Sequence, residues 1–179
     1  MAVQEQAQVV IVGGGAIGLS VAYHLGCLGI KDVILLERDQ LTSGTSWHAA
    51  GIVGPLRASM NLTQLARYGL DLFARLEDES GQAIGYQQTG GVWLAQEAAR
   101  MVELRRIKAM GDRSNLETQL LSSAQIGQLL PMLYSEDLAG GLWVEQDAQV
   151  IQVDLCMAYA KAAAKLGVEI REYSTVSNI

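Results

Sequence analysis

The sequence predicts an α/β fold that begins with a strand–helix–strand unit and carries an inserted group of helices and strands. Residues 8–12 and 32–37 are short runs rich in Val, Ile and Leu, typical of parallel strands buried on both faces. Glycines follow the first run, and residues 16–28 predict a helix that ends at Gly29. A strand, a tight turn, a helix and a strand within about thirty residues form a βαβ unit of the Rossmann type.

The rest of the chain predicts one more parallel strand and an insertion. Residues 154–166 predict a helix, and residues 168–171 predict a third strand of the same sheet. The insertion begins with a helix whose predicted apolar face comprises Leu62, Leu65, Gly69, Leu72 and Leu76. Two strands and two further helices are predicted after it, at residues 91–95, 97–110, 122–130 and 141–145.

Composition excludes several classes of function. Of 179 residues, 50% are hydrophobic and 13 Lys and Arg stand against 19 Asp and Glu, so a net charge of −6 disfavours nucleic acid and anionic membranes as partners. Residues 6–30 are uncharged, but their glycines and strand-like start argue against a membrane span, and no signal or transit peptide is apparent.

Cys27 and Cys156 are predicted to be small core residues in a reducing compartment. His24 and His48 have no clustered partners, so no metal site is predicted.

The glycine cluster predicts a phosphate-binding turn. Gly13, Gly15 and Gly18 fit the pattern G-x-G-x-x-G. In this pattern the first glycine permits the tight turn, the second leaves room for a pyrophosphate, and the third lets the helix press against the sheet. Ala16 and Ile17 begin the helix, whose free N–H groups and positive dipole end favour phosphate.

Glu37 is the predicted ribose ligand. It ends the second strand nineteen residues after Gly18, where a carboxylate accepts hydrogen bonds from a ribose diol and repels a 2′-phosphate. Arg38 argues the other way, because an arginine near this position can bind the 2′-phosphate of NADP. We favour Glu37 because it occupies the strand end. The glycine motif alone does not choose between FAD and NAD.

The segment after this strand is unusual for a surface loop. Residues 41–54 carry no charge, four hydroxyl side chains and three glycines. Such a composition predicts backbone and hydroxyl groups wrapped around a ligand. The predicted cofactor contacts in this segment are Gly44, Thr45, Ser46, Trp47, His48, Ala49 and Gly51.

These motifs resemble the N-terminal part of the dimethylglycine dehydrogenase and sarcosine dehydrogenase flavoproteins, which belong to the D-amino-acid oxidase-like superfamily. Residues 9–18, 35–38 and above all 41–51 carry the resemblance, and it continues through 89–95, 138–145 and 153–154. The resemblance implies FAD as the cofactor, joined covalently through its 8α-methyl to His48. It also implies that residues 1–58 and 150–179 form part of an FAD-binding Rossmann domain, whereas residues 59–149 belong to the substrate domain.

The resemblance further implies oxidative N-demethylation of a small amine such as dimethylglycine or sarcosine, by hydride transfer to the flavin. The resulting iminium would give formaldehyde or be captured by tetrahydrofolate bound in a downstream region. Electron-transfer flavoprotein or oxygen would accept the electrons, in the cytoplasm or in the mitochondrial matrix. The catalytic residues of this family lie largely downstream, so none is named. Arg57 either meets a substrate carboxylate or, as we favour, is a surface arginine.

Two other functions stay open at this stage. One is an amino-acid oxidase of the same superfamily with noncovalent FAD, and the other is a non-catalytic regulatory relative that keeps the fold. The intact pair of Trp47 and His48 argues against the regulatory relative. Because three strands account for only part of a doubly wound sheet, we expect an incomplete fold that belongs to a longer oxidoreductase.

Overall fold

The structure is a computed structural model that describes residues 6–178, and the chain divides into two compact units. The first unit contains residues 6–51, 72–86 and 150–178, and the second contains residues 52–71 and 87–149. These boundaries differ from those expected from the sequence. The chain enters the second unit already at residue 52, because residues 52–53 pair with residues 148–149, and residues 72–86 return to the first unit.

A three-stranded parallel sheet forms the centre of the first unit. Strands β1 (Val9–Val12), β2 (Val33–Leu36) and β9 (Glu169–Arg171) are parallel, with β2 in the middle. Helix α1 (Ala16–Cys27) connects β1 to β2, so the predicted βαβ unit is confirmed. The pairing of β9 with β2 also confirms the predicted third strand.

Two helices pack closely in this unit. α5 (Gln152–Lys165) lies against α1, and a Cβ at Gly26 of α1 would lie 2.8 Å from the Cβ of Leu166. The ring of Tyr23 packs against that of Tyr159 at 5.6 Å between centroids, and its hydroxyl donates to Glu79. Burial and this hydrogen bond raise the pKa of Tyr23.

The second unit contains two antiparallel sheets. One has the order β5 (Gly91–Ala95), β7 (Gly140–Val144) and β6 (Thr118–Leu121), and the helix α3 (Ala98–Arg113) packs on it. The other sheet consists of three two-residue strands, β3 (Ile52–Val53), β8 (Ala148–Gln149) and β4 (Gln87–Gln88). The short helix α4 (Ser123–Leu129) begins with a capping box formed by Ser122 and Gln125. A cluster of buried residues in the core of this unit comprises Leu56, Ala95, Met101, Leu104, Leu116, Leu142 and Val144.

A buried carboxylate lies in the turn between β7 and β8. Asp147 is 7% exposed, and its Oδ2 accepts a hydrogen bond from Trp93 Nε1 at 3.2 Å. Its Oδ1 has no hydrogen-bond partner. A Cβ at Gly54 or at Gly91 would overlap a carboxylate oxygen of Asp147, so a side chain at either position would displace the carboxylate. Burial raises the pKa of Asp147, although the Trp93 N–H and the charge of Arg57 oppose the shift.

Two predictions about side-chain burial are wrong. Cys156 is buried, but Cys27 is exposed. Gly26 lies on the buried face of α1, and the next residue along the helix, Cys27, is rotated away from that face. In α2 (Met60–Ser80), Leu72 and Leu76 are buried as predicted, whereas Leu62 and Leu65 are 52% and 65% exposed. Thr63 is buried in their place, because its Oγ1 accepts a hydrogen bond from Arg57 N at 3.2 Å.

Candidate cofactor site

The carboxyl ends of the three parallel strands lie side by side, and the candidate site is built there. The register pairs Val12 with Leu36 and Leu36 with Arg171. Beyond the strands, Gly13 N donates to Leu36 O and Glu37 N donates to Arg171 O, both at 2.8 Å. Ligands of open parallel sheets bind in the crevice at this edge.

The glycine turn joins β1 to α1. Gly13 has a φ of 109°, in a region that L side chains rarely adopt. A Cβ at Gly18 would overlap the carbonyl oxygen of Gly13, so α1 rests directly on the turn. The structure thus shows the turn role of Gly13 and the packing role of Gly18. The place of Gly15 at a pyrophosphate stays a prediction; a Cβ there would lie 3.0 Å from Ser46 Oγ.

The N-terminus of α1 faces the segment that follows β2. The first residue of the helix, Ala16, donates its N–H to Ser46 Oγ at 3.0 Å. The first turn contains no acidic residue, so no side chain of its own offsets the positive end of the helix dipole. Because the first N–H groups of a helix have no acceptor within it, this end suits an anion.

Glu37 connects β2 to the glycine turn through its carboxylate. Oε2 accepts a hydrogen bond from Gly14 N at 2.7 Å, and Oε1 accepts one from Asp39 N at 2.9 Å. Burial opposes ionisation, but these donors, the N–H of Arg38 and the charge of Arg38 together lower the pKa of Glu37. The carboxylate is therefore ionised at neutral pH, and its oxygens retain acceptor capacity for a ribose hydroxyl.

The uncharged segment 41–51 starts against the glycine turn and ends beside α5. Thr42 N donates to Gly14 O at 3.1 Å, and Ser46–His48 form a single turn of 3₁₀ helix. The rings of Trp47 and His48 lie 3.9 Å apart between centroids at 33°, and both side chains are exposed. The segment therefore presents an imidazole to solvent, with an aromatic ring beside it.

Most of the predicted cofactor residues line one groove of about 670 Å³ in the first unit. The predicted residues that line it are Gly13, Gly15, Ala16, Ile17, Gly18, Glu37, Arg38, Gly44, Thr45, Ser46 and Ala49. Trp47, His48 and Gly51 are not among its lining residues. Trp47 and His48 stand between the lining residues Ser46 and Ala49, whereas Gly51 is buried against the backbone of Val150.

Sequence reasoning missed a second group of residues at the same edge. A cavity of about 310 Å³ shares Glu37 and Arg38 with the groove and is also lined by Ser174, Thr175 and Val176. Ser174 N donates to Glu37 O at 2.7 Å. The sequence contained a signal for these three residues, because they follow the predicted third strand. Residues that follow a parallel strand beside β2 must emerge at the same edge of the sheet.

The remaining candidates lie outside this groove. His24 is half-buried in α1 with Nδ1 2.6 Å from Ser20 O, as expected of a structural histidine. In the second unit Arg57 is exposed, and its Nη1 donates to Leu56 O at 2.9 Å. It lines a cavity of about 450 Å³ together with Trp93 and residues of α3.

Residues 6–178 contain neither a candidate metal site nor a candidate membrane-spanning helix. That part of the chain contains no group of three or more His, Cys, Asp or Glu side chains that could hold a metal ion. Among its helices, none has both the length and the apolar character needed to cross a membrane.

The groove has features that suit a dinucleotide. A side chain at Gly15 would narrow it at Ser46, and the helix end supplies N–H donors for phosphate. Glu37 presents an ionised acceptor beside this turn, where the sequence predicts the ribose. Gly44, Thr45, Ser46 and Ala49 supply an uncharged wall along which the rest of a dinucleotide can run.

Several curated proteins are similar to this chain. 4-Methylaminobutanoate oxidase (formaldehyde-forming) of Paenarthrobacter nicotinovorans is 40% identical over 170 residues, 95% of this chain and 21% of that protein. The mitochondrial pyruvate dehydrogenase phosphatase regulatory subunit of Mus musculus is 37% identical, over 100% of this chain and 20% of its own length. Mitochondrial sarcosine dehydrogenase of Mus musculus is 36% identical, over 97% of this chain and 19% of that protein. The chain thus spans about one fifth of the length of these relatives.

The solved structures give the same result for the fold. Glycine oxidase from Bacillus cereus ATCC 14579 superposes with a TM-score of 0.82 at 31% sequence identity, over 97% of this chain and 48% of that chain. This confirms the predicted α/β fold, of which the chain contains only a part. Residues 8–179 match the family model described as "DAO: FAD dependent oxidoreductase". The chain therefore belongs to the DAO family of FAD-dependent oxidoreductases, and the resemblance to sarcosine and dimethylglycine dehydrogenases is confirmed.

Proposed function

We propose that this chain is the cofactor-binding part of an oxidoreductase that demethylates a small N-methyl amine, with FAD attached covalently to His48. The observation that carries the proposal is the groove at the carboxyl edge of the parallel sheet, which continues into the uncharged segment that bears His48. Its substrate class is supported by 40% identity to an oxidase of 4-methylaminobutanoate and 36% identity to a sarcosine dehydrogenase.

Each part of the groove has a task in this proposal. The glycine turn and the N-terminus of α1 bind the pyrophosphate, and Glu37 binds the adenosine ribose. Ser46 now accepts the N–H of Ala16, so its hydroxyl stands where it can also donate to a phosphate oxygen. FAD supplies the acceptor for the two electrons that leave the substrate methyl group.

His48 is suited to covalent attachment by its position and its chemistry. It lies in the 3₁₀ turn between the groove-lining residues Ser46 and Ala49, and its side chain is exposed. An imidazole nitrogen with a free lone pair is a competent nucleophile. The ring of Trp47, 3.9 Å away between centroids, covers one face of the imidazole.

The test is acid precipitation of the full-length protein. Yellow colour should stay in the pellet, and a peptide that spans residues 45–57 should carry the flavin mass. His48→Ala should move all the flavin into the supernatant, whereas His24→Gln, a change in α1 away from the groove, should leave attachment intact. Flavin found only in the supernatant of the unmutated protein would contradict attachment at His48.

The acceptor, the fate of the methyl group and the compartment belong to the same proposal. We propose electron-transfer flavoprotein or oxygen as the acceptor, and formaldehyde or a tetrahydrofolate adduct from a further region as the product. The compartment would be the cytoplasm or the mitochondrial matrix, the latter by analogy with the mitochondrial sarcosine dehydrogenase. Anaerobic addition of sarcosine, dimethylglycine or 4-methylaminobutanoate should bleach the flavin absorbance, and exposure to air should restore it only in an oxidase.

Two other functions are favoured by particular relatives. The glycine oxidase likeness favours an amino-acid oxidase with noncovalent FAD, in which glycine bleaches the flavin and acid releases it. The likeness to the phosphatase regulatory subunit favours a non-catalytic protein, in which no amine reduces the flavin. The spectrum before and after each amine separates all three functions.

A further inference from the structure

The segment that carries His48 is fastened at two points within the first unit, to α5 and to Val150, which lies two residues before this helix. Val150 N donates to Gly51 O at 2.9 Å. The second contact is a hydrogen bond from Gln152 Nε2 to the carbonyl oxygen of Trp47, at 3.1 Å.

The contact from Gln152 acts on the peptide group that joins Trp47 to His48. A carbonyl oxygen can only accept, so the glutamine must present its amide N–H to it. The other end of the same peptide group is also held, because His48 N donates to Thr45 O at 3.1 Å. Both polar atoms of this peptide thus have partners, which fixes the plane from which the imidazole projects.

The segment also approaches α5 closely at its far end. Gly51 has a φ of 74°, and a Cβ there would overlap the carbonyl oxygen of Val150. The same Cβ position lies 3.4 Å from Gln152 Oε1. The glutamine side chain is therefore enclosed between Gly51 and the Trp47 carbonyl, and its exposure is intermediate.

We propose that Gln152 is a positioning residue for the attachment of flavin to His48; the inference rests on the proposed function. In the attachment step, an imidazole nitrogen of His48 forms a bond to the 8α carbon, and one C–H bond of that methyl group breaks. The imidazole N–H is also lost. Dioxygen takes up the electron pair and the two protons as hydrogen peroxide. Gln152 takes no part in this exchange, and sets the direction of the imidazole instead.

The experiment measures attachment and binding separately. Full-length apoprotein is mixed with FAD in air, total bound flavin is measured by filtration, and acid-stable flavin is followed over time. Gln152→Met and Gln152→Glu keep the side-chain length but remove the donor, and Gln152→Lys restores one. Gln149→Met is the matched control, because Gln149 Nε2 donates a bond of the same 3.1 Å length to Gln87 in the second unit.

We expect Gln152→Met and Gln152→Glu to slow attachment about tenfold to a hundredfold, as a misplaced reacting group does. FAD affinity should stay within about twofold, because the groove does not include Gln152. Gln152→Lys should recover most of the rate, and Gln149→Met should behave as the unmutated protein. A thermal transition in each variant shows that it is folded.

Three results would contradict the inference in different ways. Equal attachment rates in the unmutated protein and Gln152→Met would overturn the role of Gln152 and leave attachment at His48 standing. Equal losses of FAD affinity and attachment rate would show a general structural role. The absence of acid-stable flavin from the unmutated protein would overturn both the attachment and the role of Gln152.

Discussion

At the scale of the residue, Glu37 does more than the sequence motif assigns to it. Its carboxylate accepts N–H groups from both Gly14 and Asp39, so it orders the glycine turn as well as offering an acceptor to a ribose. Glu37→Gln keeps the shape but turns an NH₂ group toward one of these two donors. We expect FAD binding to weaken by roughly 1–3 kcal/mol, the cost of an unsatisfied buried polar group.

A flavin fluorescence titration measures this change. Glu77→Gln is the matched control, because Glu77 Oε1 also accepts two backbone N–H groups, from Ile84 and Gly85, and does not line the groove. The control should lose stability without losing FAD affinity. Unchanged FAD binding in Glu37→Gln, together with new affinity for a 2′-phosphorylated dinucleotide, would refute the ribose assignment.

Gly18 provides a second prediction at the residue scale. A Cβ at this position would overlap the backbone oxygen of Gly13, which cannot move aside as a flexible side chain can. Gly18→Ala should therefore push α1 away from the turn, at about 1–3 kcal/mol of stability, the usual cost of overpacking. Differential scanning calorimetry of the apoprotein measures it. Gly44→Ala, which meets no atom within 4 Å, should leave the melting temperature unchanged.

At the scale of the element, the turn between β7 and β8 carries a pH-dependent stability. The raised pKa of Asp147 means that the folded chain binds the proton more tightly than the unfolded chain does. This contribution is complete below the ordinary aspartate pKa of about 3.9 and is lost as the pH rises through the raised pKa. The loss has a structural cause, since the charged carboxylate has one oxygen, Oδ1, buried without a partner.

Asp147→Asn should remove this pH dependence, because the amide does not titrate and its oxygen can still accept the Trp93 N–H. Relative to the variant, the unmutated protein should lose stability as the pH rises from about 4. Urea unfolding across a pH series, followed by tryptophan fluorescence, measures the difference. Asp137→Asn is the control, an exposed site with a 3.2 Å bond from Gln96. Parallel pH profiles for Asp147→Asn and the unmutated protein would refute the account.

The sequence predicts elements well where local signals suffice. The βαβ unit was predictable because its two apolar runs, its glycines and its helix stop lie within residues 8–37. The strands β3, β4 and β8 were not, because two residues carry no periodicity. The prediction of the apolar face of α2 was wrong for a tertiary reason, because Thr63 is buried where its hydroxyl accepts a hydrogen bond from the backbone of Arg57.

At the scale of the whole molecule, the candidate site was predictable only where a motif carries its own chemistry. The glycine turn and Glu37 have fixed spacing, and the uncharged composition pointed to Ser46 and its neighbours. Gln152 lies 105 residues from Trp47 and shows no local signal, so only the fold reveals their contact. Val176 and its neighbours lie at the site because β9 pairs with β2 in the parallel sheet. The spacing of residues along the sequence does not encode this order of strands.

The last prediction concerns residues 1–179 expressed alone. Within the described residues β1 pairs only with β2, so its other edge has no strand beside it. The exposed side chains of β1 are apolar, since Val10 is 52% and Val12 is 56% exposed. An unpaired apolar edge is a template for pairing with another chain, and lysine at such an edge opposes it. We therefore expect self-association that rises with concentration, and weak retention of FAD.

Analytical ultracentrifugation over a range of concentrations measures the self-association. Val10→Lys combined with Val12→Lys should shift the protein toward monomer, because the added charges oppose strand pairing. Val102→Lys adds a charge at an exposed position of α3 in the second unit, and should change the association far less. The outcome that contradicts the prediction is a monomer of the unmutated chain at all concentrations, with a cooperative thermal transition and tight FAD binding. In that case the three strands of the first unit would suffice to hold both the fold and the cofactor.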